Sequence, residues 1–306
     1  MAIKIKDPGF GYLSKKNAKD IINDDGSSNV IHLNRKRSVS DLYAFFIDIS
    51  WAKFGIFILL SYTVLNIFFG CMYVSIGIEQ ITTQKGTLLE DFLSGFFFST
   101  QTLTTVGYGG IAPKGIGANF IAAFEAMIGL LGFSFITGLL YGRFSKPKAN
   151  IKFSDNIILR NFKEERALMF RLINKRKTVM IEPEVTVTLS ITEKDEKGDF
   201  KRNFYTLDLE RSKIMYLPTV WTVVHQIDEK SPFFKYTKKE IAGLDAFLYV
   251  LLQYHEESFA QKVYQIYSYD FDKLILDVKY DPLVSFNEGG FTVLDHAALS
   301  AVKKVD

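Results

Sequence analysis

Residues 104–109 combine threonine, apolar and glycine residues in an order that suits binding of a dehydrated cation by backbone oxygens; they are Thr104, Thr105, Val106, Gly107, Tyr108 and Gly109. A potassium ion sheds its water only where protein oxygens replace it. Successive carbonyls can face one side only if some residues take positive φ, which glycine does at little steric cost. We therefore predict K⁺ sites at the oxygens of Thr105, Val106, Gly107 and Tyr108.

One chain supplies only one strand of such a ring of oxygens, so several copies must surround a common axis. The closed arrangement familiar for this kind of filter is fourfold, which predicts a homotetramer. A chance glycine-rich loop is the alternative for so short a string. The segments on either side of it decide between the two interpretations.

Two long apolar segments flank the hexapeptide, and each contains a single charged residue, Lys53 in the first and Glu125 in the second. Each segment is long enough to cross a bilayer. The semi-apolar stretch between them is too short and too polar to span, and irregular backbone at membrane depth is tolerated where it lines a watery cavity. We predict a pore domain over 38–146, with an outer helix at 51–78, a pore helix at 88–103, the filter at 104–109 and an inner helix at 115–143.

Before the first span, residues 40–50 have apolar side chains mostly at helical spacing and a polar side. This pattern favours an amphipathic helix at the membrane surface; an extension of the first transmembrane helix is the alternative. Residues 1–37 are polar and predict an irregular cytoplasmic tail. Basic residues concentrate before the first span and after the second, which places both termini in the cytoplasm.

Residues 147–306 have a soluble composition. Apolar and polar residues alternate over 185–191 and 220–227, and turn-forming residues separate many short segments. This pattern predicts an all-β domain of the sandwich type. No glycine-rich dinucleotide fingerprint follows a predicted strand.

Composition and motifs exclude several other classes. The 306 residues carry a net charge of +3, too mild to indicate nucleic-acid binding, and no nucleic-acid motif is present. The four histidines lack metal-ligand spacing. The sequence shows no paired carboxylates with an adjacent nucleophile and no phosphate-binding loop, so nothing in it indicates an enzyme. We expect neither catalysis nor a cofactor, with K⁺ only as the permeant species.

The chain resembles inward-rectifier potassium channels, most of all their prokaryotic (KirBac-type) members. The similarity runs from about residue 24 to about residue 288 and rests on four stretches: 96–109, 138–147, 168–176 and 221–232. It implies a K⁺-selective channel in the bacterial inner membrane, with an immunoglobulin-like sandwich that extends the pore as a tetramer. It also implies that 40–50 is a slide helix and that the cytoplasmic domain and membrane lipids control gating.

By this resemblance, Tyr141 stands where the family has a hydrophobic constriction at the helix-bundle crossing, and Phe133 and Thr137 line the cavity. A lipid-facing tyrosine of the aromatic belt is the alternative for Tyr141. Strongly rectifying relatives carry acids where this chain has Phe133 and Lys273, so strong block by polyamines or magnesium is not expected.

Glu125 is a carboxylate at membrane depth, where burial is costly unless the group has partners. We expect it to support the filter near Gln101, which stands where many members have a glutamate. Ile111 replaces that glutamate's arginine partner. Four glycines of the inner helix predict either bending or close helix packing: Gly129, Gly132, Gly138 and Gly142.

Basic residues at the membrane boundary are candidates for binding anionic lipid. Together with one adjacent tryptophan, these candidates are Arg143, Lys146, Lys148, Lys53 and Trp51. Ordinary positive-inside residues are the alternative. Two other functions remain open: a membrane-anchored binding protein whose filter does not conduct, and a subunit of a potassium uptake transporter.

Overall fold

The computed structural model describes residues 4–15, 19–23, 26–36, 38–83, 86–146 and 149–304. The chain forms two compact units. One comprises Asn34–Lys146, and the other joins Met1–Leu33 to Pro147–Asp306.

The unit Asn34–Lys146 is helical. Its helices are α1 (Val39–Asp48), α2 (Trp51–Ile76), α3 (Leu88–Leu103) and α4 (Ile116–Ser145). Both α2 and α4 are long and apolar enough to cross a membrane. The short α3 has the bounds expected for the pore helix.

A break of two residues separates α1 from α2. A capping box of Ser38 and Asp41 starts α1, which ends at Asp48. Ile49 is extended, and the Ser50 hydroxyl accepts from the Lys53 amide to start α2. α1 is therefore a helix in its own right and not an extension of the transmembrane helix.

Helix ends differ slightly from the predicted ones. The outer helix stops at Ile76 and not at residue 78, because Gly77 takes a φ of 101° and a 3₁₀ turn, Ile78–Gln80, follows. The inner helix starts one residue late and continues to Ser145. Apolarity sets the extent of a span, whereas local backbone geometry sets its last turn.

In the described residues, the other unit is built from strands, one short α-helix, α5 (Lys238–Ala242), and 3₁₀ turns. The strands are β1 (Lys4–Ile5), β2 (Ile151–Phe153), β3 (Ile157–Phe162), β4 (Glu165–Asn174), β5 (Met180–Lys194), β6 (Phe200–Thr206), β7 (Tyr216–Leu217), β8 (Val220–Ile227), β9 (Ala246–Glu256), β10 (Gln261–Asp270), β11 (Leu274–Leu276), β12 (Val278–Tyr280), β13 (Val284–Phe286), β14 (Thr292–Leu294) and β15 (Val302–Lys304).

Two larger sheets contain eleven of these strands, and β12 pairs with β15 and β13 with β14 in two small sheets. One larger sheet has the order β1-β6-β5-β9-β10 with β7 beside β5, and the other has the order β11-β3-β4-β2 with β8 beside β4. Among the described residues, β11 and β3 are the parallel pair and the remaining pairs are antiparallel. The predicted all-β architecture is confirmed.

The core lies between the two sheets because alternate residues of each strand turn inward. On β5 the alternate residues Val185, Val187, Leu189 and Ile191 are buried; they join Leu248 and Val250 of β9 and Leu168, Phe170 and Leu172 of β4 in one cluster. Period-two alternation in the sequence therefore identifies the face that packs.

The N-terminal segment differs from the irregular tail expected for residues 1–37. β1 pairs with the edge of β6, and the ring of Phe10 lies 4.5 Å from that of Tyr249. The Asp20 carboxylate accepts from the hydroxyls of Tyr249, at 2.6 Å, and Ser268. The edge of a sheet offers unpaired backbone groups to any strand that reaches it. The composition of the N-terminal segment alone does not reveal that such an edge is available.

Candidate functional site

The hexapeptide 104–109 begins where α3 ends and is anchored to the last turn of that helix. The Val106 amide donates to the Gln101 carbonyl at 2.9 Å, and the Thr105 amide to that of Thr102 at 3.1 Å. These carbonyls at a helix end would otherwise lack donors. The position of α3 thus sets the position of the hexapeptide.

The sign of φ alternates along the hexapeptide. Thr105, Gly107 and Gly109 have positive φ, at 59°, 56° and 81°, whereas Val106 and Tyr108 do not. In an ordinary strand successive carbonyls point to opposite sides, and reversing every second residue lets them share one side. The positive φ expected for the two glycines is confirmed. That of Thr105 was not predicted, because β-branched residues rarely adopt it.

The carbonyls of residues 105–109 accept no hydrogen bond from the residues that the structure describes. The Tyr108 side chain is 81% exposed and that of Val106 is 54% exposed within the single chain. The row of oxygens and these two side chains are therefore open to groups outside the described single chain.

Two glycines bring the transmembrane helices against α3. A β-carbon added to Gly95 of α3 would lie 2.9 Å from the Gly70 carbonyl oxygen of α2. One added to Gly129 of α4 would overlap the Leu103 carbonyl oxygen at the end of α3. Close packing is therefore the role of Gly129. A β-carbon at Gly132 or Gly138 would meet no atom of the described chain within 4 Å.

Glu125 of α4 is fully buried between α2 and α3. Its Oε2 lies 2.6 Å from the Tyr73 hydroxyl, and its Oε1 contacts the Ser99 hydroxyl. Among the described residues, no hydrogen bond joins Glu125 to the Gln101 side chain. Gln101 instead contacts the hexapeptide through its own carbonyl.

The predicted cavity and gate residues share one face of α4. Phe133, Thr137 and Tyr141 are spaced four residues apart, and the Thr137 hydroxyl donates to the Phe133 carbonyl at 2.9 Å. The side chain of Tyr141 is 74% exposed and that of Phe133 is 72% exposed within the single chain. Leu139, two residues from both Thr137 and Tyr141 and therefore on the opposite face of α4, is buried against Phe46 and Phe54.

Arg143 contacts the C-terminal end of α1. Its guanidinium donates to the carbonyls of Phe46, at 2.5 Å, Ile47, at 3.1 Å, and Ile49, at 2.7 Å. It therefore caps the C-terminal end of α1, where carbonyls lack partners and a cation is favoured. The same group lies over the ring of Trp51.

The other candidate lipid-binding residues differ in their surroundings. The Lys146 ammonium pairs with the Asp48 carboxylate at 2.8 Å, and both side chains are about half exposed. The side chains of Lys53 and Trp51 are exposed. Lys148 lies outside the described residues.

In the β-domain, His225 is buried, and both of its ring nitrogens have partners. Nδ1 lies 2.6 Å from the Asp208 carbonyl, which can only accept, so Nδ1 carries hydrogen. Nε2 then accepts from the Ser231 hydroxyl at 2.8 Å. Burial lowers the pKa of His225 from its ordinary value of 6.5. This histidine is a structural residue, and the described residues contain no cluster of acid, histidine or cysteine side chains suited to a metal ion.

Comparison with known proteins agrees with this geometry. Residues 151–306 match the inward rectifier potassium channel C-terminal domain, and residues 56–146 match the ion channel family. The inward rectifier potassium channel Kirbac3.1 of Paramagnetospirillum magnetotacticum is 34% identical over 257 residues, which cover 83% of this chain and 86% of that protein.

The G protein-activated inward rectifier potassium channel 1 proteins of Homo sapiens and Bos taurus are each 25% identical, over 98% and 97% of this chain. The chain spans 64% of the length of those two proteins. Two apolar helices, a β-domain and these matches define a membrane ion channel and not an enzyme. The chain belongs to the inward rectifier potassium channel family.

Proposed function

We propose that the protein is a homotetrameric, potassium-selective channel of the inward-rectifier type, in which residues 104–109 of four chains form the filter. The alternating sign of φ over Thr105–Gly109 is the observation that carries this proposal. It allows a ladder of oxygens on one side of the backbone, with the Thr105 hydroxyl at its inner end.

Exposure in the single chain supports a tetramer. Only 11% of the most apolar 18-residue stretch of α4 is buried within the single chain. This helix also carries the predicted cavity face. Lipid can cover the outward face of an apolar helix, but it cannot complete a ring of filter oxygens. Other copies of the chain supply both the ring and the cover.

The position of Tyr141 on one exposed face of α4 supports the proposed gate. Phe133 and Thr137 lie two turns and one turn earlier on the same face of α4, and Leu139 on the opposite face packs on Phe46 and Phe54. In a fourfold arrangement, this face surrounds the axis. Four tyrosine rings near the cytoplasmic end then close the pore by excluding water, under control of the cytoplasmic domain.

The two spans have their cytoplasmic ends together. The ring of Trp51, at the start of α2, lies 5.1 Å from that of Phe144, near the end of α4. Lys53, Arg143 and Lys146 lie at these two helix ends, which supports cytoplasmic termini in a bacterial inner membrane. Anionic headgroups at this level would gain attraction from Lys53 and Lys146, with Lys148 as a further candidate.

A rubidium-86 uptake assay tests the proposal directly. Purified protein in liposomes loaded with potassium is compared with Gly107→Ala and Gly110→Ala proteins. Gly107 has positive φ and Gly110 does not, and a β-carbon at either position meets no atom of the chain within 4 Å. We expect uptake that needs internal potassium, is lost in Gly107→Ala protein and persists in Gly110→Ala protein.

Other outcomes would overturn particular parts of the proposal. Size-exclusion chromatography with light scattering first establishes whether each protein is a tetramer. Equal uptake in sodium-loaded liposomes would remove potassium selectivity while keeping the pore. Tetramers without uptake in several lipid compositions would favour the non-conducting anchor.

A further inference from the structure

Four polar side chains form one continuous buried chain behind the proposed filter. Tyr73 and Asn66 come from α2, Ser99 from α3 and Glu125 from α4, and all four are fully buried. The order of contacts is Tyr73, Glu125, Ser99, Asn66. Asn66 then reaches the Tyr62 carbonyl within its own helix.

The number of hydrogens in this chain determines its protonation. The Asn66 Nδ2 lies 2.7 Å from the Tyr62 carbonyl, which can only accept, so the Asn66 Oδ1 faces Ser99. That oxygen lies 2.9 Å from the Ser99 hydroxyl and can only accept. The Ser99 hydroxyl therefore donates its single hydrogen to Asn66 Oδ1.

The contact between Ser99 and Glu125 then needs a hydrogen from the carboxyl group. An ionised Glu125 has none, and the contact would place two acceptors together in a buried site, at a large desolvation cost. With a proton on Oε1, the carboxyl donates to Ser99 and its Oε2 accepts from Tyr73. Every contact then contains one hydrogen.

We propose that Glu125 carries a proton in the folded channel and, through Ser99, is a positioning residue for the filter. The positioning role rests on the proposed function, whereas the proton on Glu125 follows from the hydrogen count alone. The described structure pairs no lysine, arginine or histidine with Glu125. From α2 the titratable group that faces it is Tyr73, and from α3 the partner is the non-titrating Ser99. Asp91, two turns before Ser99, instead accepts from the Gly86 amide.

The link to the filter runs through α3. Gly95, Ser99 and Leu103 lie one turn apart on a single face, and they contact Gly70, Glu125 and Gly129 respectively. A shift of this helix moves the Gln101 carbonyl that holds the Val106 amide. The glycine contacts at Gly95 and Leu103 set only how closely the helices approach. The hydrogen bond between Glu125 and Ser99 lies between them and fixes the position of α3 along its length.

Glu125→Gln and Glu125→Leu form a matched pair of tests. A glutamine amide donates to Ser99 and accepts from Tyr73 as the protonated carboxyl does, whereas leucine does neither. We expect rubidium-86 uptake in the glutamine protein to stay within about twofold of wild type and that in the leucine protein to fall by about tenfold or more. A leucine protein with wild-type uptake would overturn the positioning role, and a glutamine protein as defective as the leucine protein would contradict the proton on Glu125.

Infrared difference spectroscopy reports on the proton itself, independently of conduction. We expect the wild-type tetramer at neutral pH to show a protonated carboxylic acid band that shifts in D₂O and is absent from Glu125→Gln protein. Absence of the band in wild type would overturn the protonated state. A wild-type protein with the band but no uptake would refute the proposed channel function while supporting the proton on Glu125.

Discussion

The guanidinium of Arg143, near the end of α4, lies 4.4 Å from the centre of the Trp51 ring at the start of α2. The same group donates to three carbonyls at the end of α1, those of Phe46, Ile47 and Ile49. One side chain therefore links α1 and α2 to α4. Any movement of α4 at this level must move α1 or break these bonds.

Replacing Arg143 is expected to loosen α1. Arg143→Gln removes charge-assisted bonds worth about 1.5–3 kcal/mol, so amides near the end of α1 should exchange with solvent roughly 10 to 100 times faster. Hydrogen exchange with mass spectrometry on the whole protein measures this. Lys53→Gln is the control because its side chain is exposed. Equal exchange in the two variants would contradict the cap.

Tyr141→Ala is expected to raise basal rubidium uptake severalfold, because four smaller side chains leave a wider and wetter constriction. Phe135→Ala is the matched control: its side chain is also exposed but lies on a different face of α4. Unchanged uptake in the Tyr141 variant would support the lipid-facing alternative. A similar rise in both variants would indicate a general loosening of α4.

A methyl group at Gly129 should damage the protein far more than one at Gly138. The added carbon at Gly129 overlaps the Leu103 carbonyl oxygen, and overpacking of this kind costs about 1–3 kcal/mol. Gly138→Ala has free space and should stabilise the helix by up to about 1 kcal/mol. Thermal unfolding in detergent and rubidium uptake check both variants. Equal stability of the two would show that helix packing at Leu103 is loose.

Acidification should destabilise the β-domain through His225. The pKa of this histidine is lowered in the folded state by burial, so below its ordinary value of 6.5 the unfolded chain binds a proton that the folded chain refuses. Stability should therefore fall as the pH drops below 6.5, by up to about 1.4 kcal/mol per pH unit from this group.

Unfolding midpoints of the full-length protein from about pH 8 to about pH 5 measure this slope. His225→Asn should be less stable at neutral pH but show a shallower dependence. His255→Gln serves as the control on an exposed histidine. A slope unchanged by His225→Asn would assign the dependence to other groups.

Asp20 is expected to hold the N-terminal segment on the β-domain. Burial and the hydrogen bond to Asp20 raise the pKa of Tyr249, so its hydroxyl keeps its proton and donates to Asp20. Asp20→Ala and Tyr249→Phe should each speed proteolysis within the first 36 residues by about tenfold, the effect of a bond worth about 1.4 kcal/mol. Tyr264→Phe, which alters an exposed ring, should not. Equal cleavage of all three variants and wild type would contradict this role.

The sequence alone determined the features that depend on neighbouring residues. Apolar length located both spans, and a semi-apolar stretch too short and too polar to span located α3 at Leu88–Leu103. The order of residues in the hexapeptide indicated positive φ at Gly107 and Gly109, because that preference belongs to the residue itself. Period-two alternation placed β8 at Val220–Ile227.

Only the tertiary structure decided which distant side chains meet. Glu125 accepts a hydrogen bond from Tyr73, 52 positions away, because helix packing brings α2 and α4 together beside α3. Arg143 caps a helix nearly one hundred positions earlier, and β1 joins an edge two hundred positions later. Periodicity and composition describe one segment at a time, whereas these contacts depend on which surfaces remain open once every segment has packed.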